Sequence, residues 1–523
     1  MSTNQPPPSR FNMVRYCLAP NACRPPGKPA LMVFDDPHAA APAKLWTYGE
    51  IHEAVCRIGG SLVEAGLRRG DRILIRMDNC SDYALLLFAA AGVGLVPIAA
   101  SGQLSAHEVE FFLQDSGAQA IAVSANLPTG RIPDHVLVFD EADIAAMRRV
   151  GPPVDFADTA ADDPAFLVYT SGTSTHPKGV LHAHRAAWGR RPMYRGWYGL
   201  AADDTVLHAG TFNWTYTLGT GLTDPWANGA TAVVCTGERD VTAWPDLIRR
   251  SKATIFATVP TLYRQILKYC GISPNDLGRL RHGLSAGEAL PPTIAEEWRT
   301  RTGRILYEAF GMSELSTYIS SSPEVPPKPG SPGRPQAGRR IAILPVDGGP
   351  GPLAAGEVGI IAAHRSDPGL MLGYWNRPEE EAEMFRGEWF LTGDLGSFDK
   401  DGYVWLAGRS DDMMNAMGYR VSPVEVEAVL QAHPDVQEAA AVEVKVAENI
   451  SIITGVVVWR GGGGNADALL AHAREHLAAY KVPRQIITVE RLPRTANGKV
   501  RRADLRALFS KQAEKSASAA ASD

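Results

Sequence analysis

The first clear pattern of apolar positions is helical, with four residues spaced three or four apart along one face. These residues are Ile51, Val55, Ile58 and Leu62. Thr47 and Glu50 stand at the spacing of a capping box, and Gly66 is placed to end the helix. The segment Arg72–Arg76 then predicts a strand. An amphipathic helix therefore opens the folded part of the chain.

Strand-like and helix-like patterns continue to alternate along the chain. Strands are predicted at Ala120–Val123, Thr231–Cys235 and Thr254–Ala257, and a helix at Leu262–Tyr269. This alternation predicts parallel sheets covered by helices. From Ile341 to about Trp405 the pattern is strand-rich instead, with Gly, Pro and Asp at the turns.

One uncharged segment, Tyr83 to Ala100, has nearly the length of a membrane-spanning helix, which needs about 20 residues. Pro97 and two glycines interrupt it, and Arg and Lys are missing from both flanks. We therefore predict a buried helix, Tyr83–Ala91, followed by a buried strand, Leu95–Ala99, and no membrane span.

A separate α+β unit is predicted after Gly408. Ser422 and Glu425 have capping-box spacing and begin a helix that ends by Pro434. Two strands, a helix and a short strand follow, at Ala439–Val446, Ile452–Trp459, Ala466–Ala479 and Gln485–Val489. The Ala/Ser-rich tail, 514–523, is predicted to be disordered.

Composition narrows the class of protein. A chain of 523 residues is too long for one core, and 45% apolar with 21% charged residues is ordinary for a soluble globular protein. The net charge of −5 argues against a large nucleic-acid interface. Six scattered cysteines without a CxxC pair argue against disulfides or zinc, and the N-terminus lacks a signal-peptide layout. We expect a cytoplasmic protein without a nucleic-acid partner.

The most informative segment, residues 169–179, reads YTSGTSTHPKG and follows the apolar residues Ala165–Val168. Its hydroxyls, glycines and one lysine suit the oxygens of a polyphosphate. It is not a Walker loop, which needs Gly-Lys-Ser/Thr, because here Lys178 precedes Gly179. Taken alone, the segment is also compatible with a mobile Ser/Thr surface loop.

The loop resembles the phosphate loop of the adenylate-forming superfamily, which contains acyl- and aryl-CoA ligases, luciferases and peptide-synthetase adenylation domains. Four further segments resemble that family in the order it requires. They are Tyr307–Glu314 (YEAFGMSE), Trp389–Asp394 (WFLTGD), Gly408–Asp412 with Gly418–Arg420, and Pro493–Lys499 (PRTANGK). The resemblance runs from about Trp46 to Leu508.

The resemblance implies an α/β fold with two domains. The large N-terminal domain would have several subdomains, with parallel sheets packed by helices plus a distorted barrel. The C-terminal domain would be small, mobile and α+β. The implied boundaries are 1–407 for the ATP- and acyl-binding domain, 408–411 for the hinge and 412–513 for the C-terminal domain.

The resemblance also implies catalytic roles. Lys499 would bridge the substrate carboxylate and the α-phosphate, Glu314 would bind Mg²⁺, and Thr170 would act with them. Asp394 would accept hydrogen bonds from both ribose hydroxyls, which suits the two oxygens of a carboxylate. Locally, Lys499 is also compatible with a solvated basic stretch, Glu314 with a helix cap and Asp394 with a turn.

The implied ATP and AMP contacts extend over several segments. They are Thr170, Ser171, Gly172, Thr173, Ser174, Lys178, Gly287, Glu288, Ala289, Tyr307, Phe310, Gly311, Ser313, Asp394, Arg409 and Lys499. Tyr307 or Phe310 would stack near adenine. The chain departs from the family at Ser174-Thr175, where Thr-Gly is usual, and at Ser313, where Thr is usual.

A second half-reaction with coenzyme A is implied by the hinge segment. The C-terminal domain would swing about Asp411, withdrawing the lysine and bringing Gly418, Tyr419 and Arg420 to the coenzyme. The expected cofactors and co-substrates are therefore ATP, Mg²⁺ and coenzyme A.

Two segments look closest to benzoate-type and medium-chain CoA ligases, Leu284–Pro291 (LSAGEALP) and His208–Thr220 (HAGTFNWTYTLGT). The implied acyl-pocket residues are Asn213, Trp214, Tyr216, Gly287, Gly311 and Ile319. Bulky Trp214 and Tyr216 favour an aromatic, alicyclic or short-to-medium-chain monocarboxylate over a long fatty acid. The aromatic stretch is also compatible with ordinary core packing.

Three other functions are weighed against this one. The first is a CoA-independent adenylating enzyme that loads a carrier protein, and the second is a non-catalytic binding protein of the same fold. The third is an α/β-hydrolase, because Gly283–Gly287 matches GxSxG with Ser285 as nucleophile. The histidine of its catalytic triad would be one of four residues, His364, His433, His472 or His476. Pro291-Pro292 places the next helix too late for a nucleophile elbow.

Regulation and assembly are the last expectations. Acetylation of Lys499 would remove the required charge, and related ligases are controlled in this way. A lysine acetyltransferase and a deacetylase are therefore candidate partners. A homodimer is left open.

Overall fold

The computed structural model describes most of the chain. The described residues are 5–170, 177–237, 240–349, 351–410, 414–416, 419–447, 450–477, 479, 481–494 and 500–509. Several predicted site residues lie outside them, namely Ser171, Gly172, Thr173, Ser174, Asp411, Gly418 and Lys499, as does the tail 514–523.

Helices occur along the whole described part of the chain. They are α1 (Met13–Leu18), α2 (Tyr48–Glu64), α3 (Ser81–Gly92), α4 (Ala106–Ser116), α5 (Glu141–Val150), α6 (Ala186–Gly189), α7 (Arg191–Met193), α8 (Thr215–Leu218), α9 (Asp224–Asn228), α10 (Trp244–Arg250), α11 (Pro260–Tyr269), α12 (Pro292–Thr302), α13 (Pro378–Glu383), α14 (Pro423–Ala432) and α15 (Ala466–His476). Short π-helical turns occupy Tyr194–Tyr198 and Gly219–Thr223. Short 3₁₀ turns occupy Val241–Ala243, Pro274–Leu277 and Arg460–Gly462.

The strands alternate with these helices. They are β1 (Pro29–Phe34), β2 (Lys44–Thr47), β3 (Arg72–Arg76), β4 (Val96–Ala99), β5 (Ala120–Val123), β6 (Leu137–Phe139), β7 (Pro164–Thr170), β8 (Lys178–Ala183), β9 (Thr205–His208), β10 (Thr231–Cys235), β11 (Ile255–Thr258), β12 (His282–Ala286), β13 (Ile305–Met312), β14 (Ser316–Ser320), β15 (Arg334–Pro335), β16 (Ile341–Leu344), β17 (Gly359–His364), β18 (Gly373–Tyr374), β19 (Phe385–Arg386), β20 (Trp389–Phe398), β21 (Val404–Arg409), β22 (Met414–Ala416), β23 (Tyr419–Val421), β24 (Val436–Ala447), β25 (Ile450–Trp459) and β26 (Gln485–Thr488).

The chain divides into two compact units. The first consists of residues 1–340 and 363–390, and the second of residues 341–362 and 391–523. The chain therefore passes between the units three times. The expected boundaries at 407 and 412, with the hinge between them, stay predictions.

Two sheets organise the first unit. One has seven strands in the order β18-β8-β7-β4-β3-β5-β6, and the other has nine in the order β15-β14-β13-β12-β11-β9-β10-β1-β2. The pairs from β9 to β13 and from β3 to β6 are parallel, and antiparallel pairs extend the sheets outward. The predicted parallel sheets are thus confirmed. Within each set of parallel strands, the carboxyl ends lie on the same side of the sheet. The loops that follow such ends are where α/β proteins bind their ligands.

The predicted amphipathic helix and the uncharged segment form as expected. The helix does not open the folded part of the chain, however, because α1, β1 and β2 precede it. The Thr47–Glu50 capping box is present at the start of α2, and the four predicted apolar positions are buried. Tyr83–Gly92 of α3 is buried throughout and leads into the buried strand β4. In the described part of the chain, no helix has both the length and the apolarity needed to cross a membrane.

The second unit contains the predicted α+β segment. β24 and β25 form a long antiparallel pair, and β26 adds in parallel to β25. Alternate residues of β24 pack on opposite faces, as the strand period of two requires. Ala439 and Ala441 join a core with Leu430 and Leu469, on α14 and α15. The opposite face packs against residues near the end of the described chain, including Leu492, Leu505 and Phe509. The Ser422 hydroxyl caps α14 by accepting from the Glu425 N–H at 3.4 Å.

Candidate functional site

The predicted phosphate loop joins two paired strands. β7 and β8 run antiparallel, and Thr170 lies directly opposite Lys178 in their register. Lys178 forms an ion pair with Glu380 of α13. Its ammonium also lies 5.4 Å from the centre of the Tyr374 ring, a cation–π distance. A hydrogen bond from Lys178, and to a smaller extent one from Arg377, holds the pKa of Glu380 below its usual range. The Lys178 ammonium is therefore held in place opposite Thr170, and the Glu380 carboxylate partly neutralises its charge.

The predicted magnesium ligand lies in a tight turn. Met312 of β13 pairs with Ser316 of β14, so Glu314 stands at the centre of the loop between them. The Tyr374 hydroxyl donates to Oε1 of Glu314 at 2.8 Å, and the Met371 N–H donates to its carbonyl at 2.8 Å. The carboxylate is thus oriented by a hydrogen bond, as carboxylate ligands of metals commonly are. It fits a Mg²⁺ ion whose other ligands would be phosphate oxygens and water.

The residue before Glu314 is also held. Nε2 of His182 donates to the Ser313 carbonyl at 2.8 Å. Burial lowers the pKa of His182 to about 4, so this imidazole is neutral at physiological pH. Ser313, expected at the nucleotide, therefore has a fixed backbone.

The segment expected to bind adenine, residues 287–290, is hydrogen-bonded to β13 and α11. The Leu290 N–H donates to Oε1 of Glu308 at 2.9 Å, and the Thr261 hydroxyl donates to Glu288 at 3.0 Å. Burial raises the pKa of Glu308 to about 7, against the opposing effect of the Leu290 N–H. Residues 287–290 are thereby tied to β13 and α11. Gly287, Glu288 and Ala289 follow β12 directly.

The two candidates for stacking on adenine differ in environment. Tyr307 is buried, packs edge-on against His282 at 5.1 Å and accepts a hydrogen bond at its carbonyl from Trp197. Phe310 is half-buried and meets Tyr318 edge-on at 5.7 Å. Phe310 is the more exposed of the two residues and is therefore the better candidate.

Three of the six predicted acyl-pocket residues come together. The Trp214 ring meets Tyr216 edge-on at 5.2 Å. Gly287 has φ +91°, and a Cβ atom there would lie 2.6 Å from Cη2 of Trp214. Tyr216 is fixed by a hydrogen bond from its hydroxyl to the Thr258 carbonyl at 3.3 Å. The Trp214 ring therefore covers Gly287.

The other three predicted pocket residues have different surroundings. Asn213 accepts a hydrogen bond from the Thr211 hydroxyl at 2.5 Å. Ile319 is buried on β14, paired with Phe310. A Cβ atom at Gly311 would lie 2.3 Å from the Ser316 carbonyl oxygen, so the backbone of the hairpin explains this glycine.

The predicted ribose-binding residues belong to the second unit. Asp394 of β20 is opposite Arg409 of β21, and Nη1 of Arg409 lies 3.5 Å from Oδ1 of Asp394. The Asp394 N–H donates to the Thr392 hydroxyl at 3.2 Å, and that hydroxyl donates to the Ile361 carbonyl at 2.8 Å. Asp394 is thus oriented by its own turn. Tyr419 and Arg420 lie on β23.

The hydrolase alternative lacks its elbow. Ser285 lies inside β12, is 0% exposed and precedes α12 by seven residues, since that helix begins at Pro292. A nucleophile elbow requires an exposed serine at the start of a helix. The position of Pro291-Pro292 predicted this outcome.

Sequence reasoning missed several residues around the site. Tyr374 and Glu380 lie far along the chain from Lys178, which both contact, and Arg190 lies in the turn between α6 and α7. Each acts through a contact between distant parts of the chain, for which the local pattern carries no signal. The GYWNRP segment at 373–378, rich in turn residues and aromatics, was the one available hint.

Comparison with known proteins identifies the families to which the two main parts of the chain are similar. The AMP-binding enzyme family matches residues 18–375, and the AMP-binding enzyme C-terminal domain matches residues 425–499. The benzoate–CoA ligase of Thauera aromatica is 34% identical over 528 residues, which cover 96% of this chain and 98% of that protein.

Two solved structures are similar as well. The anthranilate–CoA ligase AuaEII in complex with anthranoyl-AMP has a TM-score of 0.86 and 29% identity, with 98% of this chain and 100% of that chain covered. A benzoate–CoA ligase from Burkholderia xenovorans LB400 has a TM-score of 0.84 and 30% identity, with 95% and 100% covered.

The fold and the site together define an adenylate-forming enzyme of the acyl- and aryl-CoA ligase class. The chain belongs to the AMP-binding enzyme family. The predicted superfamily and α/β fold class are confirmed.

Proposed function

We propose that this chain activates a monocarboxylic acid with ATP, releases pyrophosphate, and transfers the acyl group from acyl-AMP to coenzyme A. One observation carries the proposal. Tyr374 contacts both Lys178, through its ring, and Glu314, through its hydroxyl. A single side chain thus ties a cation suited to phosphate oxygens to a carboxylate suited to a divalent metal.

The chemistry explains why these charges are needed. A carboxylate must attack the α-phosphorus of ATP, and the two anions repel each other. Positioned positive charge and in-line geometry lower this barrier. Lys178 and the hydroxyls of the phosphate loop would hold the β- and γ-phosphates. Bound through Glu314, Mg²⁺ would neutralise part of their charge. Thr170, at the end of β7, would complete the loop.

The remaining nucleotide contacts are proposed by resemblance. Phe310 would stack on adenine beside Gly287–Ala289. Asp394 would accept from the ribose hydroxyls, with Arg409 next to it. Lys499 would supply the charge at the α-phosphate, where one cationic donor is worth roughly 3–4 kcal/mol of barrier.

The second half-reaction is proposed to use a different orientation of the C-terminal domain. Rotation at Asp411, within a hinge at 408–411, would exchange Lys499 for the segment with Gly418 and Arg420. Coenzyme A would then meet the acyl-adenylate. Acetylation of Lys499 would block the first half-reaction alone. We further propose a cytoplasmic location.

The acid is proposed to be compact, with benzoate-like acids first and short-to-medium-chain acids second. The Trp214 ring covers Gly287, and Tyr216 is held in place beside it. Together they leave little depth for a long chain. The names of the relatives, which act on benzoate and anthranilate, agree with this size.

A panel of acids tests the proposal. Pyrophosphate release and thioester formation are measured with benzoate, anthranilate, cyclohexanecarboxylate, hexanoate and palmitate, with and without coenzyme A. We expect thioester from the compact acids and little from palmitate. Activity on palmitate without activity on benzoate would contradict the substrate class. Pyrophosphate release without thioester would favour a carrier-protein acceptor instead.

A further inference from the structure

A buried ion pair lies behind the turn that carries Glu314. Arg190 donates from Nε to Oδ1 of Asp224 at 2.8 Å and from Nη2 to Oδ2 at 2.6 Å. Asp224 is 0% exposed, and it also accepts from the Tyr198 hydroxyl at 2.6 Å. The Tyr198 hydroxyl contacts Thr220 at 2.9 Å in turn. The pair is therefore embedded in a polar network.

The free end of the guanidinium reaches the turn itself. Nη1 of Arg190 donates to the hydroxyl oxygen of Ser316, two residues after Glu314. Ser316 pairs with Met312 across the base of the turn. Its φ of +71° is uncommon for a residue with a side chain. Arg190 thus holds the residue at which the turn leaves for β14.

The surrounding chain makes room for this contact. A Cβ atom at Gly219 would lie 1.9 Å from Nη2 of Arg190, so a larger residue there would displace the guanidinium. A cavity beside the turn is lined by Arg190, Ser313 and Ser316 and, for the most part, by apolar side chains that include Phe166, Leu218 and Leu315. The turn therefore borders incompletely filled, largely apolar space, and the hydrogen bond from Arg190 to Ser316 supplies a directed contact there.

Energetics argue for a role beyond stability. Removing two charges from water costs several kcal/mol, and well-packed apolar residues often replace a buried ion pair without loss of stability. What an apolar pair would not supply is the directed hydrogen bond to Ser316. That bond fixes the conformation of the turn.

We propose that Arg190, held by Asp224, is a positioning residue that fixes the Met312–Ser316 turn and so aims the Glu314 carboxylate at the metal–nucleotide complex. This inference rests on the proposed function, in which Glu314 binds the divalent cation. In this proposal Arg190 acts through Ser316.

The test uses the full chain and two measurements. Mn²⁺ binding in the presence of a non-hydrolysable ATP analogue is followed by the electron paramagnetic resonance signal of free Mn²⁺. The Mg²⁺ dependence of pyrophosphate release is measured separately. Thermal unfolding reports whether each variant is folded.

Ser316→Ala is the central variant, because it leaves the Arg190–Asp224 pair intact. We expect Mn²⁺ affinity to fall about tenfold, as for other residues that orient metal ligands, with only a small change in thermal stability. Arg190→Lys should retain part of the affinity. The double variant Arg190→Met/Asp224→Leu removes both buried charges and should match Ser316→Ala in Mn²⁺ affinity.

Arg281→Met is the matched control. Arg281 donates to both oxygens of nearly buried Asp204 at 2.8 Å, so its loss also breaks an Arg–Asp pair. It should lower thermal stability but leave Mn²⁺ affinity unchanged.

Wild-type Mn²⁺ affinity and Mg²⁺ dependence in Ser316→Ala and in the double variant would overturn the inference. Failure of the wild type to bind Mn²⁺ with the nucleotide would overturn it as well. The proposed function fails on a different result, namely that the wild type forms no acyl-AMP with any acid.

Discussion

Lys178 at the end of the phosphate loop forms an ion pair with Glu380 of α13. The ammonium expected to meet ATP is therefore already partnered by a carboxylate. If Lys178 has its proposed role, a phosphate oxygen would compete with the Glu380 carboxylate for the charge of this ammonium. The ion pair would then lower the net attraction for ATP while holding Lys178 in place before ATP binds.

Glu380→Gln should tighten nucleotide binding. Partly exposed ion pairs contribute roughly 0–1 kcal/mol, so we expect up to about a fivefold gain in affinity for a non-hydrolysable ATP analogue by calorimetry. Glu383→Gln removes an exposed charge from the same helix and serves as the control. Equal gains in both variants would point to overall charge and not to the ion pair.

Tyr374→Phe should impair adenylate formation while leaving the fold intact. The ring over Lys178 remains, but the hydrogen bond to Glu314 is lost. We expect roughly a tenfold fall in the rate of ATP–pyrophosphate exchange, typical of losing a partner of a metal ligand. Tyr83→Phe removes another buried hydroxyl, which donates to the Ala100 carbonyl at 3.4 Å, and should leave exchange unchanged. Normal exchange in Tyr374→Phe would remove Tyr374 from the site.

Gly287→Ala should abolish activity toward benzoate-sized acids. The substitution strains the backbone at φ +91° and drives a methyl group into the Trp214 ring. Gly303→Ala has similar strain at φ +66° with no atom within 4 Å, so it isolates the backbone cost. Adding Trp214→Leu to Gly287→Ala should restore part of the activity. Full activity of Gly287→Ala would show that Trp214 does not bound the pocket.

Glu308→Gln should change how stability depends on pH. The pKa of Glu308 is raised from 4.5 to about 7, so folding favours the protonated carboxyl. The protonated Glu308 carboxyl contributes fully to the free energy of unfolding below about pH 4.5, and this contribution is lost as the pH rises through 7. The free energy of unfolding of the variant should therefore rise relative to that of the wild type across this range, by about 3 kcal/mol at pH 8. Urea unfolding at several pH values measures the gain.

The exposed Glu64 provides the control for that series. Glu64→Gln, measured in the same pH series, shows how far the loss of an exposed carboxyl alone changes the free energy of unfolding. A pH-independent difference for Glu308→Gln would contradict the raised pKa.

Lys499→Ala should separate the two half-reactions. We expect loss of adenylate formation, because the charge at the α-phosphate is removed, and retention of thioester formation from a supplied acyl-adenylate. Chromatography of the acyl-CoA product measures the second step. An equal loss in both steps would contradict the proposed exchange of Lys499 for the coenzyme-binding segment.

Much of the fold could be predicted because it is encoded locally. The Thr47–Glu50 capping box and the start of α12 at Pro292 follow from neighbouring residues alone. The charged site residues could be proposed because they occupy recognisable motifs, and their assignment stays a prediction. Even so, their roles were inferred from resemblance and not from spacing.

The supporting contacts could not be predicted in this way. Tyr374 is 60 residues from Glu314, and Arg190 is 126 residues from Ser316. A polar pair of this kind forms only when the sheets bring distant segments together, and neither partner has a distinctive local pattern. Phe310 and Tyr307 were also equivalent in the sequence, and burial distinguished them.

The chain passes between its two units three times, and this limits the positions at which the protein can be split into fragments or recombined with a relative. A single break after Phe390 would leave residues 341–362 on the wrong fragment, although the Ile361 carbonyl accepts the hydroxyl of Thr392 within the second unit. Exchange of either unit with a relative by recombination therefore needs matched junctions near Arg340, Ala362 and Phe390. A cut after Phe390 divides β20, so the two fragments should restore activity together only if the two parts of that strand associate again.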